Sequence, residues 1–220
     1  MCGRFAITLP SDAMAHLFEA QPANDLPPVP NFNVCPTNQV HSIVSADAGR
    51  RMTSMRWGFL PHWYKSPTDG PLLINARSET LAEKPAFRDA CRTRRCLIPV
   101  SGFYEWTKDP DGKRLPWYIQ TEASVIAFAG VWQQWDKGEM PLITCAIVTM
   151  ASNGPISEIH HRMPLCIAPR DWPLWLGEEG KGAARLMKDP QGDVFSFHRV
   201  DPRVNSNRAE GPELIDPLDL

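Results

Sequence analysis

Apolar and polar positions alternate along this chain in short segments, and few segments keep one period for long. Short runs of alternating or β-branched residues are typical of strands. They predict strands at 4–8, 32–34, 40–44, 52–57, 72–75, 102–107, 117–121, 125–132, 142–149, 164–167 and 194–200. The turn sequence D-P-D-G at 109–112 predicts that two of these strands form a hairpin.

Helical periodicity is confined to a few short segments. One helix is predicted at 12–19, with Ser11 as its N-cap and one apolar face formed by Met14, Leu17 and Phe18. Further helices are predicted from Pro85 to about Arg92, at 170–176 and at 183–188. Strands scattered among isolated helices favour an α+β fold with antiparallel sheets over repeated strand–helix–strand units.

Composition agrees with many short elements. The chain has 22 prolines and 14 glycines among 220 residues, whereas proline makes up roughly 5% of average proteins. Such a chain is unsuited to a bundle of long helices. The apolar, proline-rich run at 26–30 is read as a packed connection, so we expect one domain over 1–220.

Several classes of protein are excluded by the same numbers. With 43% hydrophobic and 22% charged residues, the sequence is that of a globular protein rather than a disordered one. Its longest apolar runs, such as 142–148, are far shorter than the ~18 residues of a membrane span. A net charge of −2 excludes a globally basic nucleic-acid binder but leaves room for a local basic patch.

Cofactor motifs are absent from the sequence. There is no phosphate-binding glycine loop and no cysteine–histidine spacing typical of zinc, so we expect neither a cofactor nor a metal. The N-terminus has no apolar export signal, and we therefore expect a cytoplasmic protein with reduced cysteines. Cys35, Cys145 and Cys166 have apolar neighbours and are interpreted as core residues.

The second residue carries distinctive chemistry. Removal of Met1, which a small following residue favours, exposes an amine and a thiol on Cys2. An α-amino group has a pKa of ~7.7–8.0 against ~10.4 for lysine, so far more of it is neutral and nucleophilic at pH 7. The amine can condense with an aldehyde, and the thiol can then close a thiazolidine ring. Taken alone, however, Cys2 is also typical of an incidental cysteine at a disordered terminus.

Several sequence blocks accompany this cysteine. They are M-C-G-R-F at 1–5, F-N-V-C-P-T at 32–37, W-G-F-L-P at 57–61, I-N-A-R-S-E-T at 74–80, P-V-S-G-F-Y-E-W at 99–106 and I-H-H-R-M-P at 159–164. In this order they resemble the SRAP (SOS-response-associated peptidase) family, whose members process abasic sites in DNA. No single block is specific to the family, but the match is specific because the blocks occur in the family's order and extend over most of the chain.

The resemblance implies a fold, a partner and a reaction. The fold is α+β, with a mainly antiparallel, barrel-like sheet and a few short flanking helices. Cys2 is the mature N-terminus, exposed by self-processing or by other removal of Met1. It forms a thiazolidine with the ring-opened aldehyde of an abasic site in single-stranded DNA, and lyase-type chemistry is a further option. The protein would be a monomer by default and would be associated with the nucleoid when it is bound to DNA.

The family's active-site Asn, Glu and His correspond to Asn75, Glu105 and His160. Asn75 can accept a hydrogen bond from the Cys2 amine, although a turn or cap role is its ordinary alternative. Glu105 lies between two aromatic residues, which favours a raised pKa for proton transfer, unless it faces solvent. His160 suits protonation of the closed sugar's ring oxygen, and the residues alone leave His161 as an equal choice.

DNA contacts are a separate inference from the same resemblance. It implies that Arg4, Arg77 and Arg162 contact phosphates, since each lies within two residues of a proposed catalytic position. Trp63 and Trp106 can stack on bases, although core packing is the ordinary role of tryptophan. The basic run at 92–95 is better explained by the C-terminus of the predicted helix, where cations oppose the helix dipole.

Two features depart from the family pattern. Cys35 occupies a position where alanine is usual, so it is either a small core residue or a second thiol near the site. The segment 204–210 matches only loosely, and no contacts are assigned to it.

Two other functions remain open from sequence. One is a cysteine peptidase or N-terminal-nucleophile hydrolase, in which Cys2 and His160 form a nucleophile–base pair. The other is a non-catalytic module that binds single-stranded DNA with arginines and aromatic residues.

Overall fold

Short strands form most of the regular structure. The computed structural model describes residues 2–187 and 195–218. Within these ranges it contains thirteen strands, β1 to β13 in chain order: Phe5–Ile7, Ala20–Pro22, Asn31–Val34, Gln39–Ala46, Gly49–Trp57, Asn75–Arg77, Arg95–Val100, Gly102–Lys108, Arg114–Gln120, Ile126–Trp135, Leu142–Ala151, Arg162–Pro164 and Ser196–Arg199.

Helices are short, as predicted. The described residues form three α-helices, α1 to α3, at Ser11–Leu17, Arg88–Thr93 and Trp172–Leu176. Single 3₁₀ turns lie at Ser78–Thr80, Gly154–Glu158, Pro169–Asp171, Ala183–Met187, Pro202–Asn205 and Pro212–Ile215.

The strands are arranged in two sheets. The first has the order β13-β9-β8-β1-β3, and the second has the order β12-β11-β10-β7-β4-β5-β2, with β6 beside β11. Because β11 also pairs with β5, the strands β11, β10, β7, β4 and β5 close into a ring. Most pairs are antiparallel, and parallel pairing joins β11 to β5, β11 to β6 and β2 to β5. The predicted α+β fold with a mainly antiparallel, barrel-like sheet is confirmed.

The two sheets share one hydrophobic core. From the first sheet, Phe5 lies with its ring centroid 5.2 Å from that of Trp57 and 6.4 Å from that of Phe128, both in the ring. Phe103 contacts Phe128 from the same side at 5.6 Å. Such edge-on aromatic contacts add to the free energy gained by burying the rings. The fold therefore fixes the start of β1 against the ring.

The opposite face of the first sheet is covered by the C-terminal strap, defined as residues 201–218. Its Val204 and Leu214 pack with Tyr104 and Tyr118 in a second buried cluster. The Tyr104 hydroxyl donates to the carbonyl of Phe32 at 2.7 Å. The strap therefore fills the space that the ring does not occupy.

Most strand predictions agree with the structure, and the D-P-D-G hairpin is confirmed as β8 and β9. The predicted strand 72–75 is wrong, because β6 begins at Asn75 and Leu73 forms only an isolated bridge with Phe59. The strand predicted at 164–167 is displaced to Arg162–Pro164. Of the strand predicted at 194–200, residue 194 lies outside the described residues.

Two strands had no prediction. β7 is central to the ring and almost completely buried, so its residues do not alternate between apolar and polar. The three residues of β2 form a strand only because they pair with β5. Neither strand has a local signal of its own.

Helix boundaries differ more than strand boundaries. Ser11 is the first residue of α1 rather than its cap, and its hydroxyl lies 3.3 Å from Nε2 of His41. Leu17 is 43% exposed and therefore does not share the buried face of this helix. The second helix starts at Arg88, three residues after Pro85.

At the end of α2, a basic residue caps the helix. Arg95 donates from its guanidinium to the carbonyls of Cys91 and Arg92 at 2.7 and 2.9 Å, which supports the structural interpretation of this basic run. The helix predicted at 183–188 is a 3₁₀ turn over Ala183–Met187, and residue 188 lies outside the described residues. The part of the chain that the structure describes contains no helix long and apolar enough to cross a membrane.

Candidate active site around Cys2

Cys2 precedes β1 and is completely buried in the shared core. Its carbonyl oxygen accepts a hydrogen bond of 2.9 Å from Nδ2 of Asn75. Burial, and after it the negative charge of Glu105, raises the pKa of the Cys2 thiol far above its ordinary value. The thiol is therefore protonated at neutral pH. Met1, whose removal is predicted, lies outside the described residues.

Asn75 begins β6, which pairs in parallel with the central strand β11 opposite Ile147. The contact differs from the expected one, because Asn75 donates to the Cys2 carbonyl rather than accepting from its amine. The side-chain oxygen of Asn75 is buried, and no donor for it exists within 2–187 or 195–218. An acceptor thus remains beside the residue whose amine takes part in the reaction predicted from sequence.

Glu105 lies on β8 and is only 3% exposed. The preceding residue, Tyr104, donates its backbone N–H to the carbonyl of Arg4 at 3.0 Å, which ties β8 to the start of the chain. Burial raises the pKa of Glu105 to about 7, and nearby positive charges, first that of the chain terminus and then that of His161, act against this rise. Glu105 can therefore both donate and accept a proton near neutral pH.

Two histidines lie between the 3₁₀ turn at Gly154–Glu158 and β12. His160 is half-buried, and its Nδ1 accepts a 3.0 Å hydrogen bond from the backbone N–H of Arg162. Burial lowers the pKa of His160. The exposed His161 has its ring centroid 4.4 Å from that of His160, and its charge acts on Glu105. The structure thus brings both imidazoles to the site and leaves the choice between them open.

Arg162 is buried, and both terminal nitrogens of its guanidinium have partners within the protein, whereas its Nε has none among the described residues. Its guanidinium forms two parallel contacts with the carboxylate of Glu79, one of them of 2.9 Å, and a 2.7 Å hydrogen bond to the carbonyl of Thr149. This pairing lowers the pKa of Glu79 to about 2. The hydrogen bond therefore fixes β12, and with it the histidines, against β11, while the ion pair fixes it against the 3₁₀ turn at Ser78–Thr80.

Arg4 is also buried, on the face of the first sheet that the strap covers. Its guanidinium donates to Asn33 at 2.7 Å, to the carbonyl of Val204 at 2.8 Å and to Asn207 at 2.6 Å. By contrast, Arg77 is exposed, and its side chain forms no hydrogen bond or ion pair with any residue that the structure describes. Of the three predicted phosphate contacts, Arg77 is the one with a free guanidinium.

The two predicted stacking residues lie in different places. Trp106 follows Glu105, is half-buried and donates from its indole N–H to Asn205 at 2.6 Å. Trp63 is 43% exposed and contacts His62 and Tyr64 in the loop between β5 and β6. The cluster that Trp63 borders lies at the hairpin end of β10 and β11, away from the segment of β11 that holds Asn75.

Cys35 is buried beside the Arg4 network. Its thiol donates to the carbonyl of Asn33 at 3.3 Å, and burial raises its pKa. All six cysteines are free thiols. The contacts of Cys35 support the interpretation as a small core residue.

Sequence reasoning missed three residues that shape the site: Glu79, Asn33 and Arg114. Glu79 and Asn33 lie within quoted sequence blocks, but their partners are 83 and 29 residues away, so spacing gave no signal. Arg114 was accessible to inference, because the predicted hairpin places it near Trp106 on the neighbouring strand. Residues 2–187 and 195–218 contain no cluster of three or more His, Cys, Asp or Glu suited to a metal.

Solved structures of similar fold extend over nearly the whole chain. A protein from Bacteroides thetaiotaomicron matches with a TM-score of 0.84, 23% sequence identity and coverage of 99% of this chain and 100% of that one. A phage-related protein from Bordetella bronchiseptica matches with a TM-score of 0.73, 24% identity and coverage of 90% and 94%. At this identity the likeness concerns the fold alone.

Sequence comparisons identify closer relatives. The abasic site processing protein YoqW of Bacillus subtilis is 33% identical over 98% of this chain and 99% of its own length. Abasic site processing protein YedK of Escherichia coli is 30% identical over 99% and 100%, and HMCES of Rattus norvegicus is 30% identical over 100% and 77%. The family model for SOS response associated peptidase (SRAP) matches residues 1–207. The chain therefore belongs to the SOS response associated peptidase family.

Proposed function

We propose that this protein processes abasic sites by capturing them covalently in single-stranded DNA through Cys2, after loss of Met1. The relatives named as abasic site processing proteins support the substrate class. The observation that carries the reaction is the 2.9 Å hydrogen bond from Asn75 to the carbonyl of Cys2. It fixes the backbone of Cys2, on whose thiol the charge of the buried Glu105 carboxyl acts.

The reaction requires no oxidant or reductant. Hydrolysis of the Met1–Cys2 peptide bond consumes one water and frees the amine of Cys2. This amine attacks the aldehyde carbon of the opened sugar, and the carbinolamine loses water to give an imine. The thiol sulfur then bonds to the imine carbon while its proton passes to the nitrogen, which closes the thiazolidine.

Glu105 is proposed to carry the protons of these steps. With a pKa of about 7, its protonated form can donate to the hydroxyl that leaves as water. Its ionised form can accept the thiol proton, which a base must remove because burial keeps the Cys2 thiol neutral. His160 is proposed to protonate the ring oxygen of the closed sugar, with His161 as the adjacent alternative.

DNA contacts are assigned according to exposure. Arg77 is proposed to bind a phosphate, since its guanidinium is exposed. Arg4 and Arg162 are proposed to act mainly by holding β1 and β12 in place, since the terminal nitrogens of their guanidinium groups already have partners. Trp63 is proposed to stack on a base away from the abasic site.

The test uses single-stranded DNA with one abasic site, a denaturing gel and mass spectrometry. We expect a covalent adduct on the N-terminal Cys2 of the wild-type protein. The variants Cys2→Ser and Cys2→Ala, and a form that retains Met1, should form no thiazolidine while still binding DNA non-covalently. The matched control Cys35→Ser should react like wild type. An adduct in Cys2→Ala that is as stable as the wild-type adduct would contradict the proposal.

A further inference from the structure

A second arginine lies beside the candidate site. Arg114 opens β9, and its guanidinium carbon is 4.4 Å from the centroid of the Trp106 indole. The hairpin register fixes this arrangement. Trp106 pairs with Pro116, and Arg114 pairs with Lys108 two positions further along, so Arg114 and Trp106 are diagonal neighbours on one face of the hairpin. A guanidinium at this distance from an indole face gains a cation–π attraction.

The side chain of Arg114 differs from the buried arginines in its partners. Arg4 and Arg162 use their guanidinium groups on residues of the same chain. Arg114 is exposed, and none of the residues that the structure describes forms a hydrogen bond or ion pair with its guanidinium. The stack holds the group in place, while its N–H edge remains free to bind an anion.

The position of this cation relates it to the reaction. Trp106 follows Glu105 on β8, so the two side chains lie on opposite faces of the first sheet, with Trp106 on the face that the strap covers. The charge of Arg114 nevertheless acts on the Glu105 carboxyl. With a net charge of −2, the protein must hold DNA by a few local cations. Arg114 and Arg77 are free cations whose charges act on residues of the site, Glu105 and His161 respectively.

We propose that Arg114, stacked on Trp106, binds a phosphodiester group of single-stranded DNA where the strand crosses the β8–β9 hairpin. This inference rests on the proposed function, since it names a phosphate subsite of the same site. Two parallel N–H bonds from a guanidinium match a phosphate, and the stack reduces the conformational entropy lost on binding. Trp106 then supports the arginine, and the indole face that Arg114 covers is closed to a base.

The test measures the salt dependence of non-covalent binding. Wild-type protein, Arg114→Ala, Arg114→Lys and the control Arg51→Ala are titrated with a mixed-sequence single strand, with and without an abasic site, at several salt concentrations. Arg51 is a suitable control because it is exposed on β5, in the other sheet, and has no ion pair within the described ranges. Thermal unfolding verifies that each variant is folded.

Loss of one phosphate contact on single-stranded DNA makes the slope of log affinity against log salt shallower by ~0.7. The affinity lost by the variant relative to wild type is then about fivefold larger at 0.1 M salt than at 1 M salt. We expect this loss in Arg114→Ala for both oligonucleotides. Arg114→Lys should keep the slope but bind more weakly than wild type, because the charge remains without the planar stack. Arg51→Ala should behave like wild type.

The outcomes separate the two proposals. A slope and affinity in Arg114→Ala equal to those of Arg51→Ala would overturn the subsite, even where the wild-type adduct forms. Arg114-dependent binding without a wild-type adduct would overturn the capture reaction and leave the subsite standing. A loss of affinity in Arg114→Ala with an unchanged salt slope would identify base stacking and overturn phosphate binding. Wild-type protein that binds neither oligonucleotide would overturn both.

Discussion

At the scale of single residues, burial determines which group of Cys2 can react first. The thiol lies in the core, where its pKa is raised, so little thiolate exists at neutral pH. An α-amino group is partly neutral at the same pH and needs no base. In the proposed reaction, attack by the amine therefore precedes attack by sulfur, which then needs the carboxylate of Glu105. A solvent-exposed cysteine would not impose this order.

The raised pKa of Glu105 has a consequence for stability. Below pH 4.5, its ordinary value, the carboxyl is protonated in both the folded and the unfolded chain. Between pH 4.5 and about 7 the folded protein binds this proton more tightly, so the contribution of Glu105 to stability falls as pH rises, by about 3 kcal/mol. His41, whose pKa burial lowers to about 4, contributes in the opposite direction. We expect Glu105→Gln to remove this fall. Urea unfolding at pH 4 and pH 8 measures it.

The control for this prediction is Glu83→Gln, at an exposed position. The free energy of unfolding of this control should change between pH 4 and pH 8 by the same amount as that of the wild-type protein. If Glu105→Gln loses as much stability over this range as Glu83→Gln does, the buried carboxyl is not the group responsible.

At the scale of elements, the C-terminal strap (201–218) is held by side chains from the start of the chain. Asn33 donates to the carbonyls of Ser206 and Ala209 at 3.1 and 2.7 Å and accepts from Arg4. Arg4 lies two residues after Cys2, so the same hydrogen bonds fix both ends of the chain. The strap thereby supports the backbone position of Cys2, although the two segments lie at opposite ends of the described sequence.

We expect Asn33→Ala to destabilise the protein by about 3 kcal/mol, because it removes three hydrogen bonds and leaves a buried guanidinium N–H and the carbonyl of Ala209 without their partner. Hydrogen exchange should increase across the strap and the first residues of β1. The comparison variant Asn207→Ala removes only one hydrogen bond to Arg4 and should cost about 1 kcal/mol. Equal effects of the two variants on stability and exchange would contradict this role of Asn33.

Sequence predicted elements well where their cause is local. The D-P-D-G turn forms its hairpin because Gly112 adopts a φ of 81°, which a glycine tolerates without strain. β7 was missed because a strand covered on both faces does not alternate. Ser11 was misassigned because His41, thirty residues away, competes for its hydroxyl. Pairing between distant segments therefore explains most of the differences.

At the scale of the whole molecule, closure of the ring determines where the site residues meet. β11 contacts β5, β6, β10 and β12, and through β6 and β12 it positions Asn75 and Arg162. The resemblance named Cys2, Asn75, Glu105 and His160, but the residues alone gave no distances between them. Nor could the sequence show that the guanidinium groups of Arg4 and Arg162 bind residues of the same chain, because these partners lie on elements whose positions only the complete fold determines.

The shared core makes the two sheets interdependent, and Phe128 is where this can be tested. Its buried ring contacts Phe5 and Phe103 of the first sheet from within the ring of the second. Phe128→Ala should cost 3–5 kcal/mol. Because each sheet packs against the cavity left behind, unfolding followed by far-UV circular dichroism and by tryptophan fluorescence should shift together as one transition. The exposed Leu72→Ala should shift neither by more than about 0.5 kcal/mol. Two separate transitions in Phe128→Ala would show that the sheets fold independently and that the position of Cys2 does not depend on the ring.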